Sequence, residues 1–215
     1  MKKIIIFLLT SMFFFSQASA AGLNIGISGS AGVFHATGSE NENGEVSSED
    51  GAGTAGWASG FIEFAPSDRF AIGIEYVPYE LESETAENVQ EDMTTSTTST
   101  NASNTVKLEF ENLASAYVIL NITEALYVRA GIMEVDVVTK ESLATGSAYN
   151  DTSLEGTIAA IGYSVKNDDG VFLRIEGNYM EFDDETLTST TNSDNTVSLK
   201  GLEGVSAKVM VGKSF

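Results

Sequence analysis

The 215-residue chain has no cysteine, a single histidine and only two prolines. Without cysteine it can have no disulfide framework, thiolate metal site, catalytic thiol or lipid-modified cysteine anchor. One histidine, His35, rules out a multi-histidine metal centre. Basic residues are scarce: 11 stand against 31 acidic ones, for a formal net charge of -20. Such a field repels nucleic acid, so DNA and RNA are excluded as partners. It attracts divalent cations or basic partners, but only weakly and without specificity. Beyond residue 20 no apolar run approaches the ~20 residues of a membrane-crossing helix. Helical periodicity is absent as well. If this chain crosses a membrane, it must do so as a closed barrel.

The first twenty residues are a separate case. Met1-Lys2-Lys3 is a short basic start, and residues 4–15 are apolar except for Thr10 and Ser11. Gln17-Ala18-Ser19-Ala20-Ala21 then places small residues where signal peptidase reads. We expect residues 1–20 to be a cleaved export signal and residues 21–215 to form one domain. The mean hydropathy of +0.01 hides two opposed parts in that domain, apolar alternating stretches and very polar ones between them.

Apolar residues recur with period two, the signature of a strand with one apolar face. Leu23, Ile25, Ile27, Ala31 and Val33 alternate with small polar residues. Residues 56–65 form a second, less clear segment. Phe70, Ile72, Ile74 and Tyr76 mark a third. In a fourth, Leu108, Phe110, Ala114, Ala116, Val118 and Leu120 oppose Lys107, Glu109, Glu111, Ser115 and Tyr117. Leu126, Val128, Ala130 and Ile132 mark a fifth. A sixth spans about residues 154–165, with Ala159, Ile161, Tyr163 and Val165 as its outer set. Val171, Leu173, Ile175 and Tyr179 mark a seventh, and Val205, Ala207, Val209 and Val211 an eighth. Each approaches the ~9–11 residues of a tilted membrane strand.

Three connections are tight and carry turn chemistry: Pro66-Ser67-Asp68-Arg69, residues 121–125 and Asn167-Asp168-Asp169-Gly170. The other four, about residues 36–54, 82–105, 139–153 and 183–197, are long, polar and in places rich in Ser and Thr. They are either ribbons extending the hairpins or disordered tracts. Short and long connections alternate strictly, as in outer-membrane barrels with short periplasmic turns and long external loops. The fold expected is all-β, an antiparallel up-and-down transmembrane barrel of eight strands. An even count puts both termini in the periplasm.

Val205-Ser206-Ala207-Lys208-Val209-Met210-Val211-Gly212-Lys213-Ser214-Phe215 resembles the last strand of outer-membrane proteins. The resemblance makes Val209, Val211 and Phe215 an insertion signal for the barrel-assembly machinery, although Lys213 departs from the pattern. Residues 171–184 resemble the seventh strand of the small eight-stranded group that includes the outer membrane protein A barrel domain, outer membrane protein X and the opacity proteins. That group implies a monomeric barrel with a filled interior, set among outer-membrane lipids. Its roles are envelope integrity or surface contact rather than catalysis.

Glu75, Glu109, Arg129, Arg174, Glu176 and Lys208 fall on the faces expected to point inward. An eight-stranded barrel has room for side chains but not for a wide pore. These charges are expected to pair as a structural network, the alternative being a narrow path for small solutes or ions. Ser39, Asn41, Asn43, Gly44, Glu45, Ser47 and Asp50 follow the spacing of a calcium loop loosely, with Ser in place of the first Asp and Asp in place of the last Glu. Asp183-Asp184-Glu185 is a further acidic group. His35 would need a serine and an acid nearby to act as a base, and we expect a rim residue. Tyr76, Tyr79, Tyr163, Tyr179 and Phe215 suit interfacial girdles. Trp57 fits either a girdle or the interior. No cofactor pattern, catalytic set or metal-ligand set is expected.

Overall fold

The computed structural model describes residues 22–42, 44–82, 86–92, 100–142 and 147–215. The export signal expected over residues 1–20 lies outside them. The described strands are β1 (Gly22–Glu42), β2 (Glu45–Ser67), β3 (Phe70–Tyr76), β4 (Leu81–Glu82), β5 (Ala86–Asp92), β6 (Thr100–Asn121), β7 (Leu126–Ser142), β8 (Thr152–Lys166), β9 (Val171–Phe182), β10 (Glu185–Thr188) and β11 (Thr196–Ser214). Eight of them close an antiparallel ring, β1-β2-β3-β6-β7-β8-β9-β11, with β11 returning to β1. The short β4 and β5 pair only with β6, above β3, and β10 pairs with β11, above β9. Backbone hydrogen bonds of 2.9 and 3.2 Å between Leu23 and Phe215 finish the seam. Closure leaves the ring no open edge.

The described parts of the long connections are largely paired ribbons, with residues 147–151 and 189–195 outside any strand. β1 and β2 run in unbroken register from Gly22↔Ala65 to Glu42↔Glu45. Gly44 takes φ 92°, the conformation that favours glycine in hairpin turns. This overturns the calcium-loop spacing. Cross-strand pairing puts Ser39, Asn41 and Asp50 on one face of the ribbon and Ser47 on the other. Ligands split in this way cannot surround one ion.

Outside and inside are inverted relative to a water-soluble protein. Ile27 (70% exposed), Ile161 (57%) and Ile175 (55%) point outward with Val128, Leu173 and Val209. The outward apolar run from Val171 to Tyr179 on β9 spans about 19–22 Å along the barrel axis, taking the usual strand rise and tilt. Tyr76 and Tyr179 mark the ribbon edge of this belt and Phe215 its turn edge, while Tyr163, opposite Ile175, stands within it. All four are exposed.

Six interior glycines are covered by the ring of the aromatic directly opposite on the next strand: Gly26↔Phe61, Gly73↔Tyr117, Gly156↔Phe182, Gly162↔Tyr127, Gly204↔Phe34 and Gly212↔Phe172. The rings lie where a Cβ would be. At Gly26 an added Cβ would stand 2.4 Å from Phe61 Cζ and 2.4 Å from the Val211 carbonyl. Gly26 and Gly212 also pair with each other, so Phe61 and Phe172 reach over them to within 6.2 Å, centroid to centroid. We predict that Gly26→Ala costs about 1–3 kcal/mol through overpacking. Gly29→Ala, three residues on and facing open space, should instead be neutral or stabilising, since glycine weakens a strand. Equilibrium unfolding of both variants in lipid vesicles checks this, and equal effects would refute the fit.

Two bulges change the facing expected from strict alternation. Asn112 has φ 55°, and the β6–β7 register slips between Glu111 and Ala114. Gly201 has φ 58°, and the β1–β11 register slips between His35 and Thr37. The extra residue lets Phe110 and Leu113 both pack inward, and likewise Leu199 and Leu202. Leu108 and Phe110 therefore do not share a face with Ala114, Ala116, Val118 and Leu120.

Candidate functional site

The inward residues form three layers along the barrel axis. Near the turns lie aromatic and apolar groups: Phe61, Phe172 and Met210, with Ala71, Ile119, Tyr117 and Tyr127. Toward the ribbons an apolar plug gathers Trp57, Val77, Met133, Val135, Val137, Leu154, Ile158, Met180 and Phe182. Between them, and past Phe61 toward the turns at Glu63, lies a layer of charge.

The strand period builds this layer, because inward positions of different strands bring together residues remote in sequence. Glu75 of β3 is its hub. Lys208 Nζ of β11 donates to both its oxygens, at 2.7 and 2.6 Å, and Arg129 Nη1 of β7 donates at 2.9 Å. Ser28 and Ser59 hydroxyls also donate to Glu75, and they lie 2.6 Å from each other. Arg129 continues to Glu176 at 3.2 Å and to the Asn178 side-chain oxygen at 3.0 Å. The Tyr127 hydroxyl donates to Glu176 at 2.9 Å. A second centre is Glu63 of β2, wholly buried. It accepts from Arg174 at 2.7 Å, Asn24 at 3.0 Å and the Tyr117 hydroxyl at 3.1 Å. Arg129 stacks over Tyr117 (4.6 Å), and Arg174 over Phe172 (4.4 Å). Glu63, Glu75 and Glu176 thus balance Arg129, Arg174 and Lys208, and the layer is formally neutral.

Of the six charges expected inside, the structure brings five together: Glu75, Arg129, Arg174, Glu176 and Lys208. Glu109 is a correction. The Asn112 bulge reverses the phase of β6 on its ribbon side, and Glu109 pairs with Val138 on the outer face. There it lies 3.3 Å from Lys140 and 3.7 Å from Lys107. Lys107 also meets Glu82 at 2.8 Å, and that hydrogen bond holds its ammonium above the ordinary range. Sequence reasoning missed Glu63. Its signal is a lone acid in the apolar run Phe61-Ile62-Glu63-Phe64-Ala65, in phase with Trp57, Ser59 and Phe61.

His35 lies on the outer face, opposite Ala52 and Glu203. Its direct and diagonal neighbours on those strands include acids but no serine, so no Ser–His–acid set is assembled there. Trp57 is interior, 6.0 Å from Phe34. Asp184 accepts from the Gly201 amide at 2.9 Å and so supports the second bulge. Carboxylate oxygens of Glu80, Glu109 and Glu111 lie within 4.8 Å of one another on the outside. Val209 and Val211 point outward on β11, and the Lys213 ammonium lies 5.3 Å from the Phe215 ring.

No family model and no curated protein matches the chain. Among solved structures it is similar to the outer membrane protein OprG from Pseudomonas aeruginosa, at 12% identity and TM-score 0.49 over 92% of this chain and 97% of that one. It is also similar to the outer membrane protease OmpT from Escherichia coli, at 8% identity and TM-score 0.40 over 92% and 98%. A third is Ail, the attachment invasion locus protein of Yersinia pestis, at 10% identity and TM-score 0.39 over 87% and 98%.

Proposed function

We propose that this chain is a monomeric outer-membrane barrel with a structural or surface-contact role, anchored by its wall and meeting the exterior through its acidic ribbons. One observation carries the reading: the polarity inversion, with apolar side chains on the outer wall and paired charges inside. Lipid rewards the first and the filled interior requires the second. Outer-membrane lipids surround the belt, and the turns and both ends of the ring face the periplasm. The barrel-assembly machinery reads the strand carrying Val209, Val211 and Phe215.

Charge is strongly polarised along the axis. Past residue 20 there are nine basic residues. Arg129, Arg174 and Lys208 are inside, Arg69, Lys166 and Lys213 flank the turns, and only Lys107, Lys140 and Lys200 stand among the many acids of the ribbon end. On the outer face near that end Glu111 opposes Asp136, Glu134 opposes Glu155 and Glu203 opposes Glu181. Like charges so placed destabilise a sheet, and weakly held divalent cations would relieve them.

The alternative is a narrow channel for small solutes or ions. The plug of Trp57, Val77, Met133 and Met180 above the ionic layer favours the filled barrel. In planar bilayers the purified protein is expected to give no reproducible conductance steps. Regular open events of one size would sink the filled-barrel reading and restore the channel.

A further inference from the structure

A cavity of about 30 Å³ remains inside the barrel, where the ionic layer meets the apolar plug. Trp57 and Met180 line it on the ribbon side, and Glu75, Lys208, Asn178 and Ser206 line it on the layer side. Asn178 and Ser206 are cross-strand partners on β9 and β11, 4% and 9% exposed. Asn178 Nδ2 and Ser206 Oγ have no hydrogen-bond partner. The amide orientation is fixed, because Asn178 Oδ1 accepts from Arg129. Two buried polar groups thus border a void that nothing in the chain fills, and leaving such groups unpaired is costly.

We propose that this cavity is a binding site for one structural water molecule. Its size admits one, since about 10–15 Å³ of such volume suffices. Its chemistry selects water over an ion. The ligand must accept from Asn178 Nδ2 and exchange a hydrogen bond with Ser206 Oγ. A cation would face that N–H donor and the Lys208 ammonium. An anion would face the Glu75 carboxylate, which already neutralises Lys208. A neutral molecule that both donates and accepts meets every wall, and it ties β9 to β11 above the charges.

The test uses the full barrel refolded in detergent. A high-resolution crystal structure is expected to show one isolated peak within hydrogen-bond distance of both Asn178 Nδ2 and Ser206 Oγ. Ser206→Val, which fills the space and removes the hydroxyl, decides the energetic sign. If water completes the site, the variant strands the Asn178 amide and lowers the unfolding midpoint by about 2–4 °C. If the cavity is dry, the added methyls fill a void and the midpoint rises. An empty cavity, a rise in the variant's midpoint, or an anomalous bromide signal in the cavity after a soak would each overturn the proposal.

Discussion

Glu75→Leu is expected to cost the folded barrel about 3–5 kcal/mol, the range for removing one partner of a buried ion pair. Glu75 is the hub to which Lys208 donates twice and Arg129 once. The two cations differ in what they keep. Arg129 retains Glu176 at 3.2 Å and Asn178 at 3.0 Å. Lys208, buried to 3% exposure, loses both of its hydrogen bonds to Glu75 and faces the plug with its charge uncompensated. The loss should therefore be largely reversed by adding Lys208→Met, which removes that charge and leaves an apolar pair of similar size. The double variant is expected to be more stable than Glu75→Leu alone, the non-additivity typical of groups in contact. Trp57, the chain's single tryptophan, lines the same cavity as Glu75 and Lys208, so its fluorescence during urea unfolding in lipid vesicles reads the layer directly. A Glu75→Leu midpoint matching the parent, or a double variant worse than the single one, would show that the pair does not hold the layer together.

The parts legible in the sequence were those governed by period two and by turn chemistry. Val171, Leu173, Ile175 and Tyr179 announced an outward face, and Arg174, Glu176 and Asn178 the inward one, because β9 runs without a bulge. β6 defeated the same reading. One residue with positive φ, Asn112, turned Glu109 outward and Leu108 and Phe110 inward, and nothing in the alternation marks where an extra residue enters. The plug was hidden for a related reason. Met133, Val135 and Val137 stand at inward positions in phase with Arg129, so the filling changes from polar to apolar partway along one strand. The glycine–aromatic pairs were invisible for another reason: which glycine meets which ring depends on register between strands, and single-strand patterns do not carry it. The long connections were ambiguous because Thr-rich polar tracts suit ribbons and disorder alike. Asn43-Gly44 was a hairpin signal sitting inside a segment that also spaced like a calcium loop.

A lysine at the middle of the belt should separate a lipid-facing wall from a wet one. Ile161 points outward on β8, 57% exposed, between Val128 of β7 and Gly177 of β9. Thr157 points the same way four residues nearer the ribbons. In a wall facing water, Ile161→Lys and Thr157→Lys would both be surface changes worth no more than about 0.5 kcal/mol. In a wall facing lipid the two differ by depth. Ile161→Lys is expected to cost about 2–4 kcal/mol, and Thr157→Lys, from which the ammonium can reach the interface, about 0–1 kcal/mol. The gap of roughly 2 kcal/mol is more than tenfold in the folding equilibrium, well within reach of unfolding measurements in vesicles. Both variants keep the β8 backbone pairing and leave the ionic layer untouched, so a difference between them cannot come from the interior. Equal and small costs at the two positions would contradict the membrane reading, however well the barrel folds.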